Sequence, residues 1–151
     1  MHSLATIGYE GTTVSDFLEA LADERIELLV DVRAVAMSRR PGFAKSALAA
    51  NLEKAGIDYL HLRRLGTPAD GRAAARAGRH AEMHRIFLKH LATDEAQEQL
   101  HELADIIRSG RRVCILCFEA DPAHCHRRLV AKALQEMMAL RVTDLRPGVD
   151  E

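Results

Sequence analysis

Thiol, carboxylate, imidazole and guanidinium groups crowd one short stretch of the chain, Cys117-Phe118-Glu119-Ala120-Asp121-Pro122-Ala123-His124-Cys125-His126-Arg127. A carboxylate in such company suits general acid or base work, arginines suit phosphate or carboxylate, and thiols suit nucleophilic, redox or metal chemistry. We take Glu119 as the candidate acid or base, Cys125 as a candidate reactive thiol, and His126 and Arg127 as ligand-binding candidates. A cysteine-phosphatase loop is excluded, because it needs an arginine at a fixed distance where Ala123 follows Cys117 and Ala131 follows Cys125. No P-loop lysine motif and no Gly-x-Gly-x-x-Gly fingerprint is present, which removes the common routes to nucleoside triphosphate hydrolysis and dinucleotide binding. Cys117, His124, Cys125 and His126 are possible soft metal ligands, with Cys117, Cys125 and His126 the set to expect if a metal is present, but their spacing is unlike the usual paired zinc-binding units. Adjacent residues on a helix also point about 100° apart, so the primary expectation here is no metal, and the residues identify no cofactor.

These groups need elements to hold them. Before them, Val113 to Phe118 is a short run rich in branched apolar residues, as expected of a strand buried on both faces, and Cys114 should share one face with Leu116 and Phe118. After them, Leu129, Val130, Ala133, Leu134, Met137 and Met138 recur at helical spacing, with Arg128, Lys132 and Glu136 on the wet side. The helix starts either at Asp121-Pro122 or nearer Cys125, and Cys125 and His126 then face the sheet. A strand feeding a helix places its loop at the carboxyl edge of a sheet, where helix N-termini present unpaired N–H groups to ligands.

The same pattern repeats upstream. Leu4 to Tyr9 reads as a strand closed by Gly8-Tyr9-Glu10-Gly11, followed by a helix whose start, Thr13 to Asp16, fits a capping box. Glu27 to Val32 reads as a second strand ending in Asp31-Val32-Arg33, and Met37-Ser38-Arg39-Arg40-Pro41-Gly42-Phe43 as a loop pairing basic residues with an aromatic. A helix from about Ser46 to Ala55, closed by Gly56, leads to a third strand at Ile57 to Leu62. From Arg63 to His80 the chain reads as a long basic loop, either a lid or simply mobile, with a short helix allowed at Ala73 to Ala77. Helices at Ala81 to Leu91 and at Asp94 to Arg108 follow, the second capped by Asp94, and Arg141 to Leu145 is the last strand. His84, His90 and His101 ride on those helices without metal-like partners and read as surface residues.

Strands alternating with helices predict an α/β fold: one three-layer domain over residues 1–146, a mostly parallel sheet of about five strands, helices on both faces, and a short tail at 147–151. Glu10, Asp31, Arg33 and Glu119 then converge on one edge, which makes Glu10 a further catalytic candidate. Gly8, Tyr9, Gly11, Asp31, Arg33, Ser38, Arg39 and Phe43 become ligand-binding candidates.

Composition sets bounds on partners. With 48% hydrophobic and 28% charged residues the chain is ordinary for a globular protein, and a net charge of -1 gives no global basic field for nucleic acid or anionic membrane. No apolar run approaches a membrane span, and Met1-His2-Ser3 leads straight into a strand-like run without a secretory signal, so a cytoplasmic protein is expected. The 3 cysteines, an odd number, suggest reduced thiols over a disulfide framework.

Gly8-Tyr9-Glu10-Gly11, Asp31-Val32-Arg33, Ser38-Arg39, Phe43 with Lys45 and Leu48, Tyr59 to Gly66, and Cys117-x-Glu119 with Cys125-His126-Arg127 together resemble the domain-of-unknown-function 488 family, over positions 6 to about 134. The resemblance implies a small α/β domain and carries no assigned reaction. One departure is in the arginine loop, where the family often has a proline just before the Ser-Arg pair and this chain has Met37, its proline being Pro41.

Three readings of function remain open. The first is an anion-binding enzyme, a hydrolase or transferase for a nucleotide, another phosphorylated small molecule or a nucleic-acid end, with Glu119 as acid or base and Arg33 and Arg39 on phosphate. The second is a nucleotide or nucleic-acid binding module in which Phe43 or Tyr9 stacks. The third is a metal or thiol redox site at Cys117 and Cys125.

Overall fold

The structure, a computed structural model, describes residues 1–148; of the tail expected at 147–151, residues 149–151 lie outside the described residues. Five strands pair in one all-parallel sheet: β1 (His2–Gly8), β2 (Leu28–Asp31), β3 (Asp58–His61), β4 (Val113–Cys117) and β5 (Leu140–Leu145), in the order β3-β2-β4-β1-β5. Six α-helices connect them among the described residues: α1 (Val14–Asp23), α2 (Lys45–Lys54), α3 (Ala69–Arg76), α4 (His80–Leu91), α5 (Asp94–Arg108) and α6 (Arg127–Met137). The α/β expectation holds, with every pairing parallel.

Alternation along the strands sorts side chains onto two cores. Ala5, Ile7, Leu29, Cys114 and Leu116 pack with Phe17 and Leu21 of α1 and Leu48 and Leu52 of α2. Leu28, Val30, Val113, Ile115 and Cys117 face the other way, against Met83 and Phe87 of α4, Leu100, Leu103 and Ile107 of α5, and Val130 and Leu134 of α6. Each fully buried Leu, Ile or Phe is worth about 1.5–3 kcal/mol relative to exposure, so either face alone justifies the packing.

This layering decides where a ligand can sit. The connections from β1 and β2 run through α1 and α2 on one face, while the chain leaves β4, which lies between them, toward α6 on the other. Connections that part to opposite faces leave a crevice beyond the carboxyl ends of the strands. Register brings those ends level, Gly8 opposite Cys117 and Asp31 opposite Leu116.

Several local expectations need correction. The basic stretch from Arg63 is structured, holding a 3₁₀ turn at Arg63–Leu65 and then α3. Gly66 makes this possible, because a side chain there would strike the backbone of Ala34. The cap of α5 is Thr93, whose hydroxyl accepts from the Ala96 N–H; Asp94 is the first helical residue. Asp121 caps only a 3₁₀ turn, Pro122–His124, and α6 begins at Arg127. Phe118 lies beyond β4 and is 43% exposed, so it does not share the buried face of Cys114 and Leu116. No helix among the described residues is long and apolar enough to cross a membrane.

Candidate functional site

Beyond the strand ends lies a cleft of about 470 Å³, walled by Tyr9, by the loop from Arg33 to Arg40, by Thr67 with Arg72 and Arg76 of α3, and by Cys117, Phe118, Glu119, His124 and His126. Loops after three parallel strands converge there because the strands end in register.

The most buried charges are structural. Asp31 is fully buried, and its carboxylate accepts from Arg33 Nε at 2.9 and 3.1 Å, from Arg33 Nη2 at 2.7 Å, and from the Tyr59 hydroxyl at 2.6 Å. Arg33 also donates through Nη1 to the Phe43 carbonyl at 2.7 Å and to the Tyr9 hydroxyl at 3.3 Å. Burial works against the Arg33 charge, but the hydrogen bonds and charge of Asp31 outweigh it and push its pKa up. Thus Arg33, expected to hold phosphate, lines the cleft with its guanidinium already engaged, and it pins the loop from 34 to 43 against the sheet. Phe43 is buried too, stacked on Tyr9 at 4.7 Å and edge-on to Phe17, so its ring faces are occupied within the protein.

Arg127 is the largest fully buried side chain. Its Nε donates to Thr6 Oγ1 at 3.2 Å, Nη1 to the Cys117 sulfur at 3.2 Å and to the Glu119 carbonyl, and Nη2 to the Ala120 carbonyl at 3.2 Å. The nearest bonded carboxylate is reached through Thr6, whose hydroxyl donates to Asp144 at 2.5 Å. Arg127 therefore shapes the loop that presents Glu119 and does not itself reach the cleft lining. Gly8 faces this strut, and a Cβ there would collide with the Glu119 carbonyl.

What is left for a ligand is different. Glu119 is half-buried and lines the cleft, and burial raises its carboxyl pKa above the usual range. Glu10 sits outside the lining and holds the same loop from behind, accepting from the Ala120 N–H at 3.0 Å. Gly11 turns the chain before α1. Ser38 accepts from the Arg40 N–H at 3.1 Å, and Arg40 reaches the Thr12 carbonyl. Arg39 is exposed at the rim. Arg39, Arg72 and Arg76 line the cleft without a carboxylate partner among the described residues, where Glu119 is the one carboxylate of the lining. Sequence reasoning missed Arg72 and Arg76, although their i, i+4 spacing would have put both on one face of a helix.

Cys117, Cys125 and His126 converge at the floor, with ligand atoms within 4.8 Å of one another and all three residues buried. The helical objection fails because Cys125 is extended, φ -123 and ψ 145, and precedes α6. The two sulfurs meet in a disulfide contact, so the expectation of three reduced thiols holds in this structure only for Cys114. His126 is neutral by burial, its pKa lowered to about 4, and Nε2 lies 2.7 Å from the Val32 carbonyl.

The sequence model of a family described as a domain of unknown function, DUF488, matches residues 13–134. The chain belongs to the DUF488 family. No curated protein and no solved structure matches it. The DUF488 match covers Asp31, Arg33, Arg39, Arg72, Arg76, Glu119, Cys125 and His126, and it begins after the Gly8-to-Gly11 turn.

Tyr59 gives this DUF488 domain a measurable alkaline signature. Burial and the hydrogen bond and charge of Asp31 raise its phenol pKa well above 10.0, against a smaller opposing effect of Arg33. The folded state thus keeps a proton that the unfolded chain releases, and the stabilisation is complete below about pH 10 and lost as pH rises through the raised pKa. Urea unfolding of the wild type should weaken more steeply above that pH than unfolding of Tyr59→Phe. Equal slopes would remove Tyr59 from the Asp31 network.

Proposed function

We propose that the cleft binds a phosphorylated ligand, a nucleotide or a nucleic-acid end, and that the protein is a hydrolase or transferase in which Glu119 acts as general acid or base. One observation carries this reading: Arg39, Arg72 and Arg76 share the cleft lining with a single carboxylate, Glu119, and none of the three has an ion-pair partner among the described residues. Guanidinium groups left in this way suit bidentate phosphate recognition. Phe118, partly exposed in the same lining, offers a ring face to a base, the role that buried Phe43 cannot fill. A carboxylate amid cations adds nothing to phosphate affinity and repels it, whereas a proton-transferring enzyme can use one. That difference favours an enzyme over a binding module.

Thermal-shift titration with nucleoside mono-, di- and triphosphates and 5′-phosphorylated oligonucleotides tests the first half. At least one should stabilise the protein, and Arg39→Ala and Arg76→Ala should each weaken its binding by about ten- to a hundredfold, the scale of a charge-assisted hydrogen bond. No stabilisation, or affinity untouched by both substitutions, would discard the anion site. Turnover of the bound ligand that is lost in Glu119→Gln while binding persists supports the enzyme. Binding without turnover leaves the module.

A further inference from the structure

Three features bear on what the buried Cys117, Cys125 and His126 hold. The first is the imidazole. A carbonyl oxygen only accepts, so the 2.7 Å contact with Val32 puts the proton on His126 Nε2 and leaves Nδ1 as a lone pair, 3.7 Å from the Cys125 sulfur. Backbone carbonyls orient metal-binding imidazoles in this way. The second is Arg127, a buried cation whose Nη1 donates to the Cys117 sulfur at 3.2 Å. Buried charges need partners, and this cation is held at the sulfur with no carboxylate bonded to it directly. The third is the span between the two cysteines. Their Cα atoms are 7.2 Å apart, wider than the range of about 4.4–6.8 Å usual for a disulfide. Two thiolates on one zinc ion, each bound at about 2.3 Å, have sulfurs about 3.8 Å apart, a separation that a wide Cα span accommodates.

We propose that the reduced protein binds a zinc ion through Cys117 Sγ, Cys125 Sγ and His126 Nδ1, with the fourth position open to the cleft. Two thiolates and an imidazole are a soft donor set suited to zinc, and three protein ligands with an open position are the arrangement of catalytic sites. Cys117 and His126 line the cleft, and Glu119 Oε2 lies 3.7 Å from the Cys117 sulfur, so a carboxyl group stands beside the open position. An ion there would polarise an oxygen of the ligand or of water. The site does not depend on the anion-binding reading, since it concerns what the protein holds by itself.

The test uses the whole protein, reduced without oxygen until all 3 cysteines titrate as thiols in denaturant. After refolding is verified, added zinc should be retained at one equivalent through desalting. Cobalt in its place should give a sulfur-to-metal charge-transfer band and the intense visible absorption of a tetrahedral ion. Cys125→Ser and His126→Gln should each weaken zinc binding by about tenfold or more, while Cys114→Ala, which changes a thiol on the opposite face of the sheet, keeps the stoichiometry. Either ligand variant can lose its fold, so the wild type decides. Reduced and folded wild-type protein that retains no zinc overturns the proposal, as does a cobalt spectrum without the sulfur band. Neither readout involves a nucleotide, so failure here and failure of anion binding are separate results.

Discussion

Arg127→Met is expected to lower the free energy of unfolding by about 3 kcal/mol or more, the cost of leaving several buried acceptors without their donor. Methionine matches much of the arginine stem in volume but donates no hydrogen bond. The carbonyls of Glu119 and Ala120, the Thr6 hydroxyl and the Cys117 sulfur would all lose the same donor. Each buried acceptor left unpaired costs about 1–3 kcal/mol. The opposing gain, relief from desolvating a guanidinium, wins only where both sides of a polar contact are replaced by apolar groups. Here two of the acceptors are backbone and cannot be replaced. Arg127→Lys should not rescue, because an ammonium on a flexible stem cannot reach four acceptors in a fixed fork. Urea denaturation measures the change. A loss below about 1 kcal/mol would mean that the loop carrying Glu119 finds other donors, and the strut would have to be given up.

Asp31→Ala should cost a similar amount, about 3–5 kcal/mol, because it strands a buried guanidinium. Asp31 receives four side-chain bonds from Arg33 and Tyr59 and one from the Arg33 N–H. Without it Arg33 keeps only the Phe43 carbonyl and the Tyr9 hydroxyl. The diagnostic result is the double variant Asp31→Ala/Arg33→Met, which removes both charges and should be less destabilised than the two single losses added together. Additive losses would show that the pair does not act as a unit. The effect should reach the cleft as well, since the loop bearing Arg39 is held through the Arg33 bond to Phe43.

Much of the frame was legible in the residues themselves. Apolar runs bounded by glycines and caps gave strands and helices in the right order, because strand and helix periodicity depend on near neighbours. The Thr13 cap is such a case, its hydroxyl accepting from the Asp16 N–H at 3.1 Å. The parallel sheet followed from alternation and crossover handedness, and with it the carboxyl edge where Glu119 lies. The stretch from Arg63 was misjudged because its helix, α3, is alanine- and arginine-rich with a stripe of small residues, and it is held by packing of Gly71 beside Ile86 of α4 and of Ala74 in the core.

The assignment of arginines shows most directly where a local reading stops. By type and neighbours, Arg33, Arg39, Arg72, Arg76 and Arg127 all look like solvated or phosphate-binding groups. Only the tertiary structure separates Arg33 and Arg127, buried and held by partners, from Arg39, Arg72 and Arg76, which line the cleft without an ion-pair partner among the described residues. Burial of a charge is decided by whether distant acceptors arrive to replace water. Arg127 meets Thr6 from β1 and the loop after β4, and that meeting exists only because β1 lies between β4 and β5. Sequence alone determined the residue types and the strand-helix alternation that brings the strand ends to one edge; strand order decided which arginines became buried framework, because only long-range packing can satisfy a buried charge.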